Sequence, residues 1–172
     1  MLEPFSGTVL RVSHDRGEVF RSCRRVCVLD SGRSQGTFTP EELFRCPGTE
    51  AAARVSGCEN FSDILPDGDT VILPQWGLTL LCSPIFPPDV RRAGLRAHHI
   101  RPAEDRAENA FPCRVTRVVQ DVSAAIVLLQ PEHAAADAPP LRMELPRKDW
   151  EALSQPSRLT VCIRPEDLLP LR

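Results

Sequence analysis

The stretch TVLRVSHDRGEVFRSCRRVCVLDSGRSQG, residues 8–36, decides how the first part of this chain folds. It opens with the apolar run Thr8–Val12, which predicts a buried strand. Apolar residues at helical spacing over residues 19–23 predict a helix, and the apolar run 26–29 predicts a second strand. The order of strand, helix and strand indicates a βαβ-like unit. His14 follows its first strand, and ligands bind at the carboxyl ends of strands in open α/β sheets.

A helix-start signal follows this unit. Thr39 is placed to cap the helix, Pro40 suits its first turn, and Glu42 completes a capping box. A second short helix is expected over residues 49–55. These two helices close a first region, residues 1–56.

From Gly57 onward, short apolar runs alternate with turn signals, which is typical of a small closed barrel or sandwich. The 17 prolines among 172 residues suit short strands better than long helices. A charged segment near residues 104–108 divides this second region, residues 57–172, into halves at 57–103 and 108–172. The strands expected here cover residues 61–65, 70–73, 77–82, 92–100, 113–119, 123–129, 141–145 and 159–163.

Composition limits the function classes. A net charge of −2 gives no broad basic field, and aromatic residues along a basic groove are lacking, so nucleic-acid binding is the weakest hypothesis. Seven cysteines without a C-x-x-C pair favour reduced thiols over disulfides or zinc. His98 and His99 are adjacent, so on the strand predicted over 92–100 they would face opposite sides and could not share a metal. No metal site is expected, and Trp76 and Trp150 are predicted core residues.

The first region resembles the last part of the nucleotide-binding domain of ABC transporters. The resemblance is carried by VSHD at residues 12–15, VLDSGR at 28–33, and GT with PEELF at 36–44. It implies that His14 is the switch-loop histidine, which reaches the terminal phosphate of the nucleotide. Spacing alone would leave His14 as a loop histidine with no catalytic role.

The second region resembles the transport-associated OB-type (TOBE) barrel of importer ATPase subunits. GLRAH at residues 94–98 and RPED at 164–167 carry this resemblance, and GCEN at 57–60 with NAFPCRV at 109–115 are most similar to the molybdate-type branch. The implied fold class is α+β and mainly β: an OB-like barrel preceded by an incomplete α/β remnant of an ABC ATPase domain. The implied partners are a second ATPase subunit, through the barrel, and the transporter's membrane subunits. The implied location is cytoplasmic, peripheral at the inner face of the membrane, without insertion into it.

The P-loop motif that binds the nucleotide phosphates is missing from this sequence. A P-loop requires G-x-x-x-x-G-K-[ST], and the sole lysine, Lys148, follows Pro146-Arg147. The parent family uses ATP and magnesium, but we expect this chain alone to bind neither and to hydrolyse no ATP. The expected function is that of a C-terminal, regulatory portion of a molybdate-type importer ATPase subunit.

The alternative function is a stand-alone module that binds an oxyanion such as molybdate or tungstate. The Ser-Ala-Arg-Asn segment of small molybdate-binding barrels reads Arg106-Ala107-Glu108-Asn109 here, which replaces a hydroxyl by a guanidinium and an arginine by a carboxylate. The candidate oxyanion ligands are Arg106, Asn109, Arg114 and Ser123.

Overall fold

The computed structural model describes residues 7–135 and 137–172. Its first part, which we call the N-terminal unit (residues 7–56), holds three short helices around one β-hairpin. The elements are α1 (Arg16–Ser22), β1 (Val26–Asp30), β2 (Arg33–Phe38), α2 (Pro40–Arg45) and α3 (Glu50–Val55). A small core of Val28, Leu43 and Ala52 joins the hairpin to the last two helices.

The strand predicted at Thr8–Val12 is wrong, and with it the βαβ-like unit. Residues 8–15 have no regular structure, and the side chains of Leu10 and Val12 are 94% and 95% exposed. A strand needs a neighbour to pair its backbone N–H and C=O groups. Among the described residues β1 pairs only with β2, so this segment has no strand beside it.

The helices predicted after this segment are confirmed. Thr39 accepts a hydrogen bond from the Glu42 amide at 3.2 Å, and Glu42 Oε2 accepts one from the Thr39 amide at 2.8 Å. Hydrogen bonding to the backbone amide and the side chain of Thr39 stabilises the ionised Glu42 carboxylate and lowers its pKa below the ordinary value of 4.5. Thr49 caps α3 by accepting from the Ala52 amide at 3.3 Å. Local capping therefore sets both helix starts.

The remaining chain, residues 57–172, is the β-rich part. Its strands are β3 (Asn60–Asp63), β4 (Leu65–Asp67), β5 (Thr70–Leu73), β6 (Leu78–Leu81), β7 (Arg92–Leu95), β8 (Arg101–Pro102), β9 (Ala110–Gln120), β10 (Ala124–Pro131), β11 (Leu141–Pro146), β12 (Arg158–Cys162) and β13 (Leu169–Leu171). They form a five-stranded sheet in the order β11-β10-β9-β12-β8 and two three-stranded sheets, β13-β7-β3 and β4-β5-β6. One helix, α4 (Arg147–Ala152), follows β11.

One hydrophobic core fills the β-rich part and takes residues from all three sheets. Trp76 and Trp150 are each 1% exposed within it, which confirms their prediction as core residues. The buried side chain of Asn60 ties the sheets together: its amide donates to the carbonyls of Leu95 and Arg142 at 3.3 and 2.9 Å, and its oxygen accepts from the Arg142 amide at 2.7 Å. These bonds join β3 to β7 and β11, and so they tie the sheet β13-β7-β3 to the five-stranded sheet.

The N-terminal unit packs on the β-rich part through α3. Ala53 of α3 lies in a small cluster with Cys58, Leu169 and Leu171. Within the described ranges, no helix combines the length and the apolar character that a membrane crossing requires.

Candidate functional site

A cleft of about 910 Å³ opens where the N-terminal unit meets the β-rich part. Its walls come from α1 and α2 on one side and from the turn after β7, from β11 and from residues 166–169 on the other. Its size suits a small molecule, and it lies between two structural units, where binding sites are common. This cleft is therefore the candidate functional site.

Arg96 forms the floor of the cleft. It follows β7 and is 7% exposed. Its guanidinium donates to the carbonyl oxygens of Phe44 and Ser56 and to Ser56 Oγ at 3.3 Å. Those acceptors lie at the ends of α2 and α3, so Arg96 docks both helices. Burial lowers the pKa of Arg96, and the nearby Arg16 lowers it further, although an arginine remains charged at neutral pH.

Arg16 of α1 approaches the same place from the opposite wall. Both guanidinium groups converge at Gly57, whose φ is +96°. A Cβ atom on Gly57 would overlap the Arg16 guanidinium and would lie 3.6 Å from Arg96 Nη1. The missing side chain at residue 57 thus makes the room in which the two arginines meet.

His98 and His99 line the cleft beside the two arginines. The strand predicted over 92–100 is wrong beyond Leu95. β7 ends at Leu95, and a 3-10 turn over Ala97–His99 replaces the rest of that strand. The two imidazole rings therefore do not face opposite sides; they meet edge to face, with centroids 4.5 Å apart. His99 Nδ1 lies 3.2 Å from Asp167 Oδ1. Burial lowers the pKa of His99 more than the Asp167 carboxylate raises it.

His14 lies outside this cleft's walls, in the exposed segment just before α1. The next residue, Asp15, caps α1 by accepting from the Glu18 amide at 2.8 Å. That hydrogen bond lowers the pKa of the Asp15 carboxyl group. The switch-loop role of His14 stays a prediction.

The four predicted oxyanion ligands do not come together within one chain. Asn109 is already used: its side chain accepts from the Leu81 amide at 2.8 Å and donates to the Leu81 carbonyl at 2.9 Å. Arg114 lies within β9, paired with Gln130, whereas Ser123 lies at the far end of the same hairpin. At about 3.3 Å per residue, the six steps of β9 from Arg114 to its last residue, Gln120, span roughly 20 Å, and Ser123 lies in the turn beyond. Arg106 is exposed in the loop before β9, and anion binding by these residues stays a prediction.

Sequence reasoning missed Arg16, Gly57 and the pairing of His99 with Asp167. Each of these residues lies about 40 to 70 positions after the one before it in the chain, so no local sequence motif connects them. Among the described residues, no three His, Cys, Asp or Glu side chains cluster as a metal site would require; the expectation of no metal site stays a prediction.

Comparisons with known proteins bear on both regions. No family model matches the chain. It is 35% identical over 130 residues to the Fe(3+) ions import ATP-binding protein FbpC of Streptomyces coelicolor, covering 74% of this chain and 35% of that protein. The FbpC of Streptomyces avermitilis is 33% identical over 145 residues, covering 83% and 39%. The sn-glycerol-3-phosphate import ATP-binding protein UgpC 3 of Agrobacterium fabrum is 30% identical over 105 residues, covering 60% and 30%.

Among solved structures, the chain is similar to the cytoplasmic molybdate-binding protein ModG in a form with molybdate bound. The TM-score is 0.53 at 11% identity, and the match covers 67% of this chain and 97% of ModG. This likeness confirms the predicted fold class, mainly β and OB-like. The resemblance to importer ATP-binding subunits is confirmed at that level, since the curated relatives are import ATP-binding proteins. Their names mention iron and glycerol 3-phosphate, so the molybdate type stays a prediction, and the chain spans between 30% and 39% of their length.

Proposed function

We propose that this chain is the C-terminal, regulatory portion of an importer's ATP-binding subunit, of the molybdate type. The similarity to import ATP-binding proteins supports the first part of this proposal, and the ModG-like fold supports the second. In this role, the β-rich part contributes to subunit dimerisation, and the assembled transporter holds the chain at the inner face of the membrane beside its membrane subunits. The domain division at residue 56, with halves at 57–103 and 108–172, belongs to the same proposal.

The observation that carries the proposal is the uncovered apolar surface of the N-terminal unit. Leu10 and Val12 are almost fully exposed, Leu29 on β1 is 69% exposed, and Phe20 on α1 is 48% exposed. An isolated two-stranded sheet is marginally stable in water and is stabilised by packing against further structure. Large apolar side chains concentrated within twenty-odd residues indicate a surface that another protein part covers. The rest of an ATP-binding domain has the strands and the apolar faces that would do so.

A chimera tests this proposal. The segment of Streptomyces coelicolor FbpC that matches this chain is replaced by residues 1–172, and ATP hydrolysis is measured. We expect an active chimera, and we expect His14→Ala to lower its turnover by about 100-fold or more, the usual loss when a positioned histidine is removed. His133→Ala, an exposed histidine in the β10–β11 loop, is the matched control. A folded but inactive chimera, or equal turnover in the two variants, contradicts the proposal.

The isolated chain is expected not to hydrolyse ATP, because a P-loop lysine is missing from it. A phosphate-release assay on the purified chain tests this. Turnover that persists at constant specific activity through a second purification would refute the expectation.

Light scattering at about 100 µM chain tests dimerisation, since a monomer at that concentration implies an affinity too weak for the proposed role.

The second candidate function is a stand-alone oxyanion-binding module. The near-complete coverage of ModG by this chain favours it. Calorimetric titration with molybdate, tungstate and sulfate separates the two candidates, with Arg106→Gln and Arg114→Gln as variants. Saturable heat with molybdate that either variant removes supports the module. No heat at about millimolar anion excludes it.

A further inference from the structure

We infer that Arg16 and Arg96 form a binding site for a small oxyanion, of which inorganic phosphate is the simplest, on the floor of the cleft at Gly57. This site is distinct from the loop and strand positions Arg106 and Arg114. It brings together one guanidinium from the N-terminal unit and one from the β-rich part.

The first argument is that Arg16 and Arg96 have no carboxylate partner in the part of the chain that the structure describes. The cleft's carboxylates lie against other groups: Glu59 and Glu144 share Arg142, at 3.0 and 3.9 Å, Glu166 lies 3.8 Å from Arg164, and Asp167 lies 3.2 Å from His99, whose lowered pKa leaves it largely neutral at pH 7. Among the described residues, neither Arg16 nor Arg96 has a carboxylate oxygen within 4.0 Å.

The second argument is the cost of leaving this charge alone. Arg96 is almost fully buried, and a buried charge without a counter-charge is destabilising. The carbonyls of Phe44 and Ser56 supply hydrogen bonds but no net charge. Arg16 adds a second positive charge beside it, so the two groups repel each other. An anion between them would compensate both charges.

The third argument is geometry. A guanidinium presents its N–H donors in a planar fork that matches the oxygens of phosphate or carboxylate. Some of the Arg96 N–H groups already donate to carbonyls at the ends of α2 and α3. Arg16 is exposed and makes no side-chain hydrogen bond to the other described residues. The Arg16 guanidinium occupies the place that a Cβ on Gly57 would take, which brings it near Arg96, and the cleft beside the two groups opens to solvent. Donors and solvent access therefore coincide at one point.

Occupancy would tie α1 to the β-rich part, because the two arginines stand on opposite walls. If His14 has the proposed switch-loop role, on which this one step rests, an anion at Arg16 would restrain the segment that carries it. The binding site itself does not depend on that role, and it is measured on the isolated chain.

The test is a titration of the full chain with sodium phosphate, with sodium chloride at equal ionic strength as the reference because surface charges are screened by salt. The readouts are the side-chain Nε–Hε signals of the arginines by NMR and the melting temperature. We expect saturable shifts of the Arg16 and Arg96 signals and a rise in melting temperature with phosphate. Parallel titrations with sulfate and molybdate compare other tetrahedral oxyanions on the same signals.

Arg16→Gln is the decisive variant, because Arg16 is exposed and its removal leaves the helix-docking bonds of Arg96 intact. It should weaken phosphate binding at least about tenfold. Arg21→Gln, on the same helix, is the matched control and should bind as the wild type does. Equal affinity in Arg16→Gln, no saturation by about 10 mM phosphate, or loss of binding in Arg106→Gln instead would each overturn the site.

Discussion

At the scale of single residues, Gly57 has the most demanding position in the candidate site. Its φ of +96° disfavours any L side chain, and the place of its Cβ is taken by Arg16. Gly48 also has a positive φ, +72°, but open space around its Cβ position. Because the crowding atoms are the end of an exposed, flexible arginine that can move aside, we predict that Gly48→Ala and Gly57→Ala each cost about 1–2 kcal/mol of unfolding free energy, set by the positive φ. Urea unfolding measures both; a much larger cost at Gly57 would mean that Arg16 cannot move away from it.

The thiols give a second prediction at this scale. Burial raises the pKa of Cys58 to about 11 and that of Cys113 to about 12, whereas Cys27 and Cys46 are exposed. Because the thiolate is the nucleophile, iodoacetamide at pH 8 should alkylate Cys27 and Cys46 first. Cys58 and Cys113 should react only after denaturation, as mass spectrometry of tryptic peptides would show. Labelling of Cys113 in the native state at the rate of Cys27 would mean that the core is not packed as described.

At the scale of elements, the capping box of α2 predicts a pH dependence of stability. The Thr39 amide and hydroxyl lower the pKa of Glu42 in the folded state. A lowered folded-state pKa means that the stabilisation is complete above the unfolded value of about 4.5 and is lost as the pH falls through the folded value. We expect Glu42→Gln to melt below the wild type at pH 7, and this difference to close as the pH is lowered beneath 4.5. Glu41→Gln, which leaves the box intact, is the control, and a difference independent of pH would contradict the assignment.

The same elements show how far sequence reasoning reached. The starts of α2 and α3 could be predicted because their caps lie within three residues of the groups they bind. The strand at Thr8–Val12 could not be decided from its own residues, because a strand exists only where a neighbour pairs with it. The strand predicted over 92–100 failed beyond Leu95 for the same reason, because its own residues do not show where pairing with β3 ends. Arg16 and Arg96, 80 positions apart, meet only through packing.

At the scale of the whole molecule, the single core of the β-rich part allows a test of the predicted halves. Trp76 lies in the half 57–103 and Trp150 in the half 108–172, and both are in the same hydrophobic cluster. The Asn60 side chain adds hydrogen bonds from the first half to Arg142 in the second. Since neither half buries its apolar face without the other, we expect them to unfold in one cooperative step.

Two single-tryptophan variants test this cooperativity. Trp150→Phe leaves Trp76 as the fluorophore, and Trp76→Phe leaves Trp150. Each variant is unfolded with guanidinium chloride, and the unfolding midpoint from fluorescence should coincide with the midpoint from far-UV circular dichroism. Because the two midpoints are compared within one variant, a difference in stability between the variants does not matter. A fluorescence midpoint that departs from the dichroism midpoint in either variant would show that the halves unfold separately.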